Sequence, residues 1–367
     1  MRQPWLRGRG VRFRLLAVGS GLVLVTAAGL MASAPVIAAA PCVAAGASGL
    51  TARIVAHAGQ KIEGISVNAN GCDIGIYVPP HTPGVAIRKV NVSGATDQGI
   101  LVQDSNGVVI ADSTITGNLL NPDVCPFPPA PAPKTPCIVD VKAVELVGSS
   151  HSTIENNLIA NNLGEGGIGI FDDGLQSPGT LGRGLALPAV GNLISHNRVI
   201  NNPHGCGIVV STHVAGQAVE NNRVIDNVSI GNAEGVVVAD NMPQTKLLNT
   251  LVRGNVIADS VAPGIVLNAL APSDIVSGTL VEDNILSANG ALPAFEHLPG
   301  YQARPTGIIV VTSPLAAGAG KGELAPVQEG VRLVGNIITH ESWGIWSTPQ
   351  NRLTVTASVA VGIVNQL

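Results

Sequence analysis

Acidic residues recur at one fixed place in this sequence. Counting from the residue that opens each short apolar run, the sixth position holds Asp104 after Gly99, Asp172 after Gly167, Thr212 after Gly207 and Asp240 after Gly235. Asp173 and His213 follow at the seventh, and Phe171 and His204 lie close by in sequence. Two carboxyl groups flanking a sugar can work as general acid and general base, and their separation selects the stereochemical route. If successive runs stack as strands, Asp172 and Asp240 sit two strands apart, about 9–10 Å between backbones. That lies near the upper end of the inverting range, with Thr212 and His213 on the strand between. The catalytic candidates are therefore Asp172, Asp173, Asp240 and His213, and the substrate-binding candidates are Phe171, Thr212 and His204. The same residues carry two other readings. The segments FDDG (171–174) and ADN (239–241) are ordinary turn sequences, in which Asp bonds its own backbone, and clustered carboxylates are also ligands for Ca²⁺.

The elements that would position these groups form a repeat. Apolar runs open at Gly75, Gly99, Ala143, Gly167, Gly207, Gly235, Gly264, Gly307 and Gly344, with the shortest spacing 24 residues and the others lengthened by insertions. A second register follows, in which an apolar residue is succeeded three places on by Asn118, Asn157, Asn197, Asn222, Asn255, Asn284 or Asn336. Periods of this size mark stacked repeats that bury their apolar side only against a neighbour. The runs are short, rich in Val and Ile, and alternate, while no capped 3.6-residue pattern is present to supply crossover helices. The spacing predicts an all-β parallel coil of about nine or ten rungs, which the family resemblance given below implies is a single-stranded right-handed parallel β-helix. Ile100, Val102, Ile208 and Val210 should face inward, and the Asn residues should stack and exchange amide hydrogen bonds. These repeats resemble the right-handed parallel β-helix superfamily, the pectate-lyase-like fold with NosD-type repeats, over roughly 64–363. That resemblance implies a rigid scaffold used by polysaccharide lyases, hydrolases, epimerases and non-catalytic surface modules alike.

The comparison with β-helix polygalacturonases stops short of an activity. Those enzymes look similar in pairing aspartates with a later Gly-His-Gly, but here Asp172-Asp173 follow their strand, Pro203 precedes His204-Gly205, and no Arg-Ile-Lys occurs. Pectate lyases of this fold need Ca²⁺ and a base, and Arg198 and Arg223 fall in the Asn segment instead. No zinc spacing, Gly-rich phosphate loop or Gly-x-Ser-x-Gly elbow occurs. No cofactor is therefore expected, with Ca²⁺ as the alternative already named.

Compartment and partners follow from composition. Arg2, Arg7, Arg9, Arg12 and Arg14 precede an apolar run at 15–31 and small residues, which reads as a secretory signal over 1–38 with the β-helix domain at 39–367. Five of the 20 Lys and Arg would leave with it while all 24 Asp and Glu remain, giving a mature charge of about −9. Such a chain is a poor ligand for nucleic acid or an anionic membrane. The expected product is secreted, without a stable membrane anchor, and monomeric. In an oxidising compartment Cys125 with Cys137, and Cys42 with Cys72, are expected to form disulfides, leaving Cys206 free. Insertions at 121–137, 174–188, 241–249, 291–305 and 313–328 are where binding would lie, and Phe127, Phe295 and Tyr301 fall in them. Together these features predict binding or cleavage of an extracellular polysaccharide. The alternative is a non-catalytic surface or structural module, and the sequence leaves open whether the chain is an enzyme.

Overall fold

The computed structural model describes residues 36–37, 41–46, 49–120, 141–172, 187–270, 274–296, 298, 300–312 and 327–361. Residues 34–367 form one compact unit. The chain coils through three long parallel sheets in turn. The third contains Ile208–Thr212 and Val236–Asp240 among eleven strands, the second has ten, and the first has eleven. Val43–Ala44 runs antiparallel to Thr51–Val55 at the start of the third sheet, so ten of its strands stack in parallel, in line with the expected nine or ten rungs. A small fourth sheet of four strands, including Lys246–Leu248 and Ile275–Ser277, forms an extra side where the chain leaves the third. Among the described residues the only helical segment is the short 3₁₀ turn Pro293–Phe295. Val36–Ile37 pairs with Ser66 and Val67 of the first sheet, so a cut after Ala38 would remove that pair.

Alternation puts one side chain in two toward the axis, and the inward positions are aliphatic. Ile62, Ile87, Ile110, Ile154, Ile194 and Val224 stand in one register column of the second sheet, all buried. Ile100, Val102, Ile208 and Val210 point into the same core, as expected. Each such side chain contributes roughly 1.5–3 kcal/mol by burial. Branched residues suit this environment because their restricted rotamers fit the pleat. The opening glycine is needed where a turn meets the next rung. A Cβ on Gly235 would run into the Gly264 carbonyl oxygen and the Ile257 side chain, and one on Gly207 would lie 2.6 Å from the Gly235 carbonyl oxygen.

The corners are built by asparagine, in three ladders rather than one. Asn157, Asn197, Asn227, Asn255, Asn284 and Asn336 form the longest, each Nδ2 donating to the next Oδ1 at 2.9–3.0 Å. Asn118 begins a second with Asn162, Asn202 and Asn232, and Asn222 belongs to a third with Asn192. Sequence spacing merged these because each corner repeats the same two-residue turn. Its first residue takes the left-handed conformation, as in His196, Asn201 and Asp226 with φ near 57°, 56° and 55°. Asn, Asp, His and Gly tolerate that conformation best.

The second corner continues to an acid. Asn289 donates its backbone N–H and its Nδ2 to Glu341 Oε1 at 2.8 and 2.9 Å. Burial raises the Glu341 pKa to about 7, although the two Asn289 bonds pull it down. A raised carboxyl favours the folded state most below its unfolded value, and that contribution is lost as pH rises through about 7. Glu341→Gln keeps the acceptor and removes the charge. Its melting temperature at pH 8 should rise by about 2 °C, and its shift between pH 5 and pH 8 should shrink. Circular dichroism melts at the two pH values check this, and a lower melting temperature for the variant at pH 8 would contradict the ladder role.

Candidate functional site

The expected acidic column exists at the C-terminal ends of the third-sheet strands. Phe171 pairs with Ser211, so Asp172 continues onto Thr212, and Thr212 pairs with Asp240. Asp172 and Asp240 are thus two rungs apart with Thr212 between them. Their surroundings differ. The Asp172 Oδ1 accepts the backbone N–H groups of His213 at 2.6 Å and Val214 at 3.2 Å, which fixes the turn leaving Ile208–Thr212. These bonds run to the next rung, whereas the turn reading has Asp bond its own backbone.

Asp240 has a partner that sequence reasoning did not find. Its Oδ1 accepts the Thr212 hydroxyl at 2.5 Å and the Thr245 hydroxyl, and its carboxyl hydrogen-bonds that of Asp274. The Thr245 backbone N–H donates to Asp274 Oδ1 at 3.0 Å. Two carboxyls can bond directly only with a proton between them. Burial first, then the bond and charge of Asp240, push Asp274 up to about 8, so the coupled pair retains a proton toward neutral pH. Burial also raises Asp240, while the bonds from Asp274, Thr212 and Thr245 favour its charged form. Asp240 is fully buried, whereas Asp274 is 8% exposed and stands nearer the surface. Thr245 and Asp274 each directly precede a strand of the fourth sheet, in which Lys246 pairs with Ile275. Aligning the chain on those strands, as well as on the glycine, would have placed the two residues side by side.

The remaining candidates are dispersed. Phe171 is wholly buried, and its ring stacks on that of His213 with centroids 4.4 Å apart and an 18° tilt. It belongs to a second apolar cluster on the outer face of the third sheet, with Val147, Val209, Val237, Ile309 and Trp346. Phe171, expected among the substrate-binding residues, is thus enclosed in this layer. Gly169 makes room for the ring, since a Cβ there would lie 2.7 Å from its Cζ. His204 is exposed, but it precedes the N-terminal end of Ile208–Thr212 and so stands a full strand, about 16 Å, from the acids. Asp173 lies outside the described residues. Tyr301, from the insertion at 291–305, packs edge-on against Trp346 at 4.8 Å on the same outer face.

A second polar group occupies the opposite ends of these strands. Lys142, fully buried, donates its Nζ to Glu165 at 2.6 Å, and its backbone N–H donates to Glu145 at 2.6 Å. Gln98 Nε2 reaches the other Glu145 oxygen at 3.1 Å. Cys206 is free, as expected, and its thiol donates to Glu234 at 3.0 Å. Burial and then the Glu234 charge raise its pKa well above the usual thiol range, which keeps it protonated and unreactive. Cys42 and Cys72 form the expected disulfide, while Cys125 and Cys137 lie outside the described residues. Among the described residues no group of three or more His, Cys, Asp or Glu side chains could hold a metal ion.

With the coil and its acidic edge described, comparison with known proteins places the chain. A family model described as the right handed beta helix region matches residues 46–250. The chain belongs to the right-handed β-helix family. Among solved structures this β-helix is similar to the A-module of mannuronan C-5 epimerase AlgE4 from Azotobacter vinelandii, at 15% identity and a TM-score of 0.54, covering 85% of this chain and 73% of that one. It is also similar to a hyperthermoactive exopolygalacturonase from Thermotoga maritima, at 12% identity and a TM-score of 0.53, covering 79% and 55%. At these identities the likeness is one of fold. No curated protein matches the chain.

Proposed function

We propose that this β-helix protein is exported and binds or cleaves an extracellular polysaccharide, with the Asp240–Asp274 pair as its acid centre. The carrying observation is the seating of two carboxyls, Asp240 and Asp274, side by side at the strand ends, with Asp240 held by the Thr212 and Thr245 hydroxyls and Asp274 by the Thr245 backbone N–H. A general acid needs a proton at working pH and a pKa close to it, and burial beside a second carboxyl is a recurrent way to supply both. Asp274 would donate to a glycosidic oxygen, and Asp240 would hold and return the proton. Because the two carboxyls bond directly, no oxygen can be seated between them. The opposing carboxylate therefore falls to Asp172, two rungs from Asp240, with Thr212 and Thr245 orienting Asp240. The β-helix proteins of similar fold named above are a polysaccharide epimerase and a polygalacturonase, which supports the substrate class. The Cys42–Cys72 disulfide supports an oxidising compartment, as the basic-then-apolar start of the sequence does.

The test uses the purified chain, a panel of neutral and acidic glycans, and two substitutions. On a substrate that wild type cleaves, Asp274→Asn and Asp240→Asn should each lower turnover by about 10²-fold or more while the protein stays folded. For a glycan that is bound without turnover, the same variants should weaken binding. Asp274→Asn has a second readout. The stabilisation from its raised pKa is complete below the usual carboxylate range and is lost as pH rises through about 8, so the variant should show a flatter decline of stability between pH 6 and pH 9. Full activity in both variants would place the site elsewhere, and no binding of any glycan would favour the structural module.

A further inference from the structure

We infer that the outer face of the first sheet pairs with the same face of a second copy of this chain, about a two-fold axis parallel to the coil, in place of the monomer expected from composition. The face is made by Val228–Ile230, Val256–Ala258, Ile285–Ser287, Ile337–Thr339 and Val359–Val361, stacked in register. Ser229, Ile257, Leu286 and Ile338, the middle residues of the first four, are buried, so the residues on either side of each point outward. None of these outward residues is charged. On the second sheet the neighbouring strands place Arg223, Arg253, Glu282 and Arg332 outward instead.

The outward residues stand in two columns of unequal height. Val256, Ile285, Ile337 and Val359 form a ridge of branched aliphatic side chains, exposed by 37, 46, 44 and 52%. Beside it Ala258, Ser287 and Thr339 form a trough, each half-buried. The trough hydroxyls already have partners, since Thr339 Oγ1 lies 3.1 Å from Ser287 Oγ, which lies 3.2 Å from His340 Nδ1. Covering them therefore strands no polar group. A two-fold axis parallel to the coil exchanges left and right on the face while keeping every rung at its own height. The ridge of each copy then enters the trough of the other, Ile285 against Ser287 and Ile337 against Thr339. Turning the second copy end for end would set ridge against ridge.

Charge at the flanks agrees with the same operation. Each rung of the face lies between two corner residues in the left-handed conformation, and the rotation brings one over the other: Asp226 over Gly231, Gly254 over Asp259, Asp283 over Ala288 and Gly335 over His340. No acid meets an acid at any of the four, although the chain holds 24 Asp and Glu against 20 Lys and Arg. Rung spacing and residue rise make the face about 24 Å by 17 Å, or roughly 400 Å² from each copy. The total of about 800 Å² is below that of permanent complexes and suits a reversible dimer.

Sedimentation velocity of the purified chain from about 5 to about 500 µM reads the association directly, and half of the chain should be dimeric on the order of 100 µM. Ile285→Lys and Ser287→Asp should each weaken the dimer tenfold or more while leaving the melting temperature nearly unchanged, because both positions lie on the surface. Mixed together, the two variants should recover a heterodimer, since the new cation of one copy then faces the new anion of the other. A chain that stays monomeric throughout, whether or not it sediments with phosphatidylcholine vesicles or a neutral glycan, would overturn the inference. A dimer that Ile285→Lys leaves intact would also overturn it, and a mixture that stays monomeric would overturn the ridge-in-trough arrangement.

Discussion

Asn227→Ala is expected to lose about 4 kcal/mol or more of stability. The Asn227 Oδ1 accepts both the backbone N–H and the Nδ2 of Asn197, at 2.9 and 3.0 Å. Its own Nδ2 donates to the Ile194 carbonyl at 3.0 Å and to Asn255 Oδ1 at 3.0 Å. Alanine removes these four interactions and a fifth, from Nδ2 to the Ile225 carbonyl at 3.1 Å, while leaving their partners inside, because Asn197, Asn255, Ile194 and Ile225 are buried. Each stranded buried group costs about 1–3 kcal/mol, and partial relaxation trims the total. Asn227→Asp separates the two halves of the role. It keeps the acceptor, loses the donor and turns a carboxyl toward Asn255 Oδ1, so it should be destabilised at pH 7 and recover partly at pH 4, as the carboxyl protonates. Denaturant titrations of the three proteins read this directly, and a loss below about 1 kcal/mol for alanine would mean that the ladder is incidental to the fold. Because each rung is held only by its neighbours, the defect should also appear as enhanced amide exchange in the two adjoining turns.

Phe171→Ala should cost about 3–5 kcal/mol, and it should do so without a specific effect on ligand binding. The ring is completely enclosed, covers the backbone at Gly169 and stacks on His213. Truncation opens a cavity on the outer face of the third sheet, uncovers Gly169 and removes the support of a histidine whose backbone N–H is held by Asp172. Phe171→Leu fills most of the space and should lose roughly half as much. Thermal unfolding beside glycan titration distinguishes packing from recognition. A variant with unchanged melting temperature and weakened binding would restore the substrate-binding role expected of Phe171 from the sequence.

The outer face of the third sheet shows why that expectation fails. Alternation correctly sorts Ile208 and Val210 from Val209 and Ser211, since period two is a property of the extended backbone. It assigns the second set to the outside and says nothing of what covers the outside. Here Val209, Val237, Phe171 and Ile309 form an apolar layer of their own, joined by Leu292 and Tyr301 from an insertion. Contacts between a strand and a segment many residues away have no periodic signature. The same limit hid Asp274. It is brought to Asp240 by the register of the small fourth sheet, which begins after turns of unequal length, so counting from a glycine loses it.

What the sequence determined by itself is the coil. A recurring glycine where no Cβ fits, aliphatic residues alternating behind it, and a left-handed residue before each buried asparagine are local requirements repeated rung after rung, and repetition makes local requirements readable. The disulfide of Cys42 with Cys72 and the free Cys206 were legible for a similar reason, since few pairings were open to few cysteines. Only the tertiary structure decided which polar groups share a proton, which aromatic is enclosed and which of three corners each asparagine occupies. Those outcomes depend on insertions and register shifts that add no pattern to the chain, and on burial, which belongs to the assembled molecule rather than to any residue.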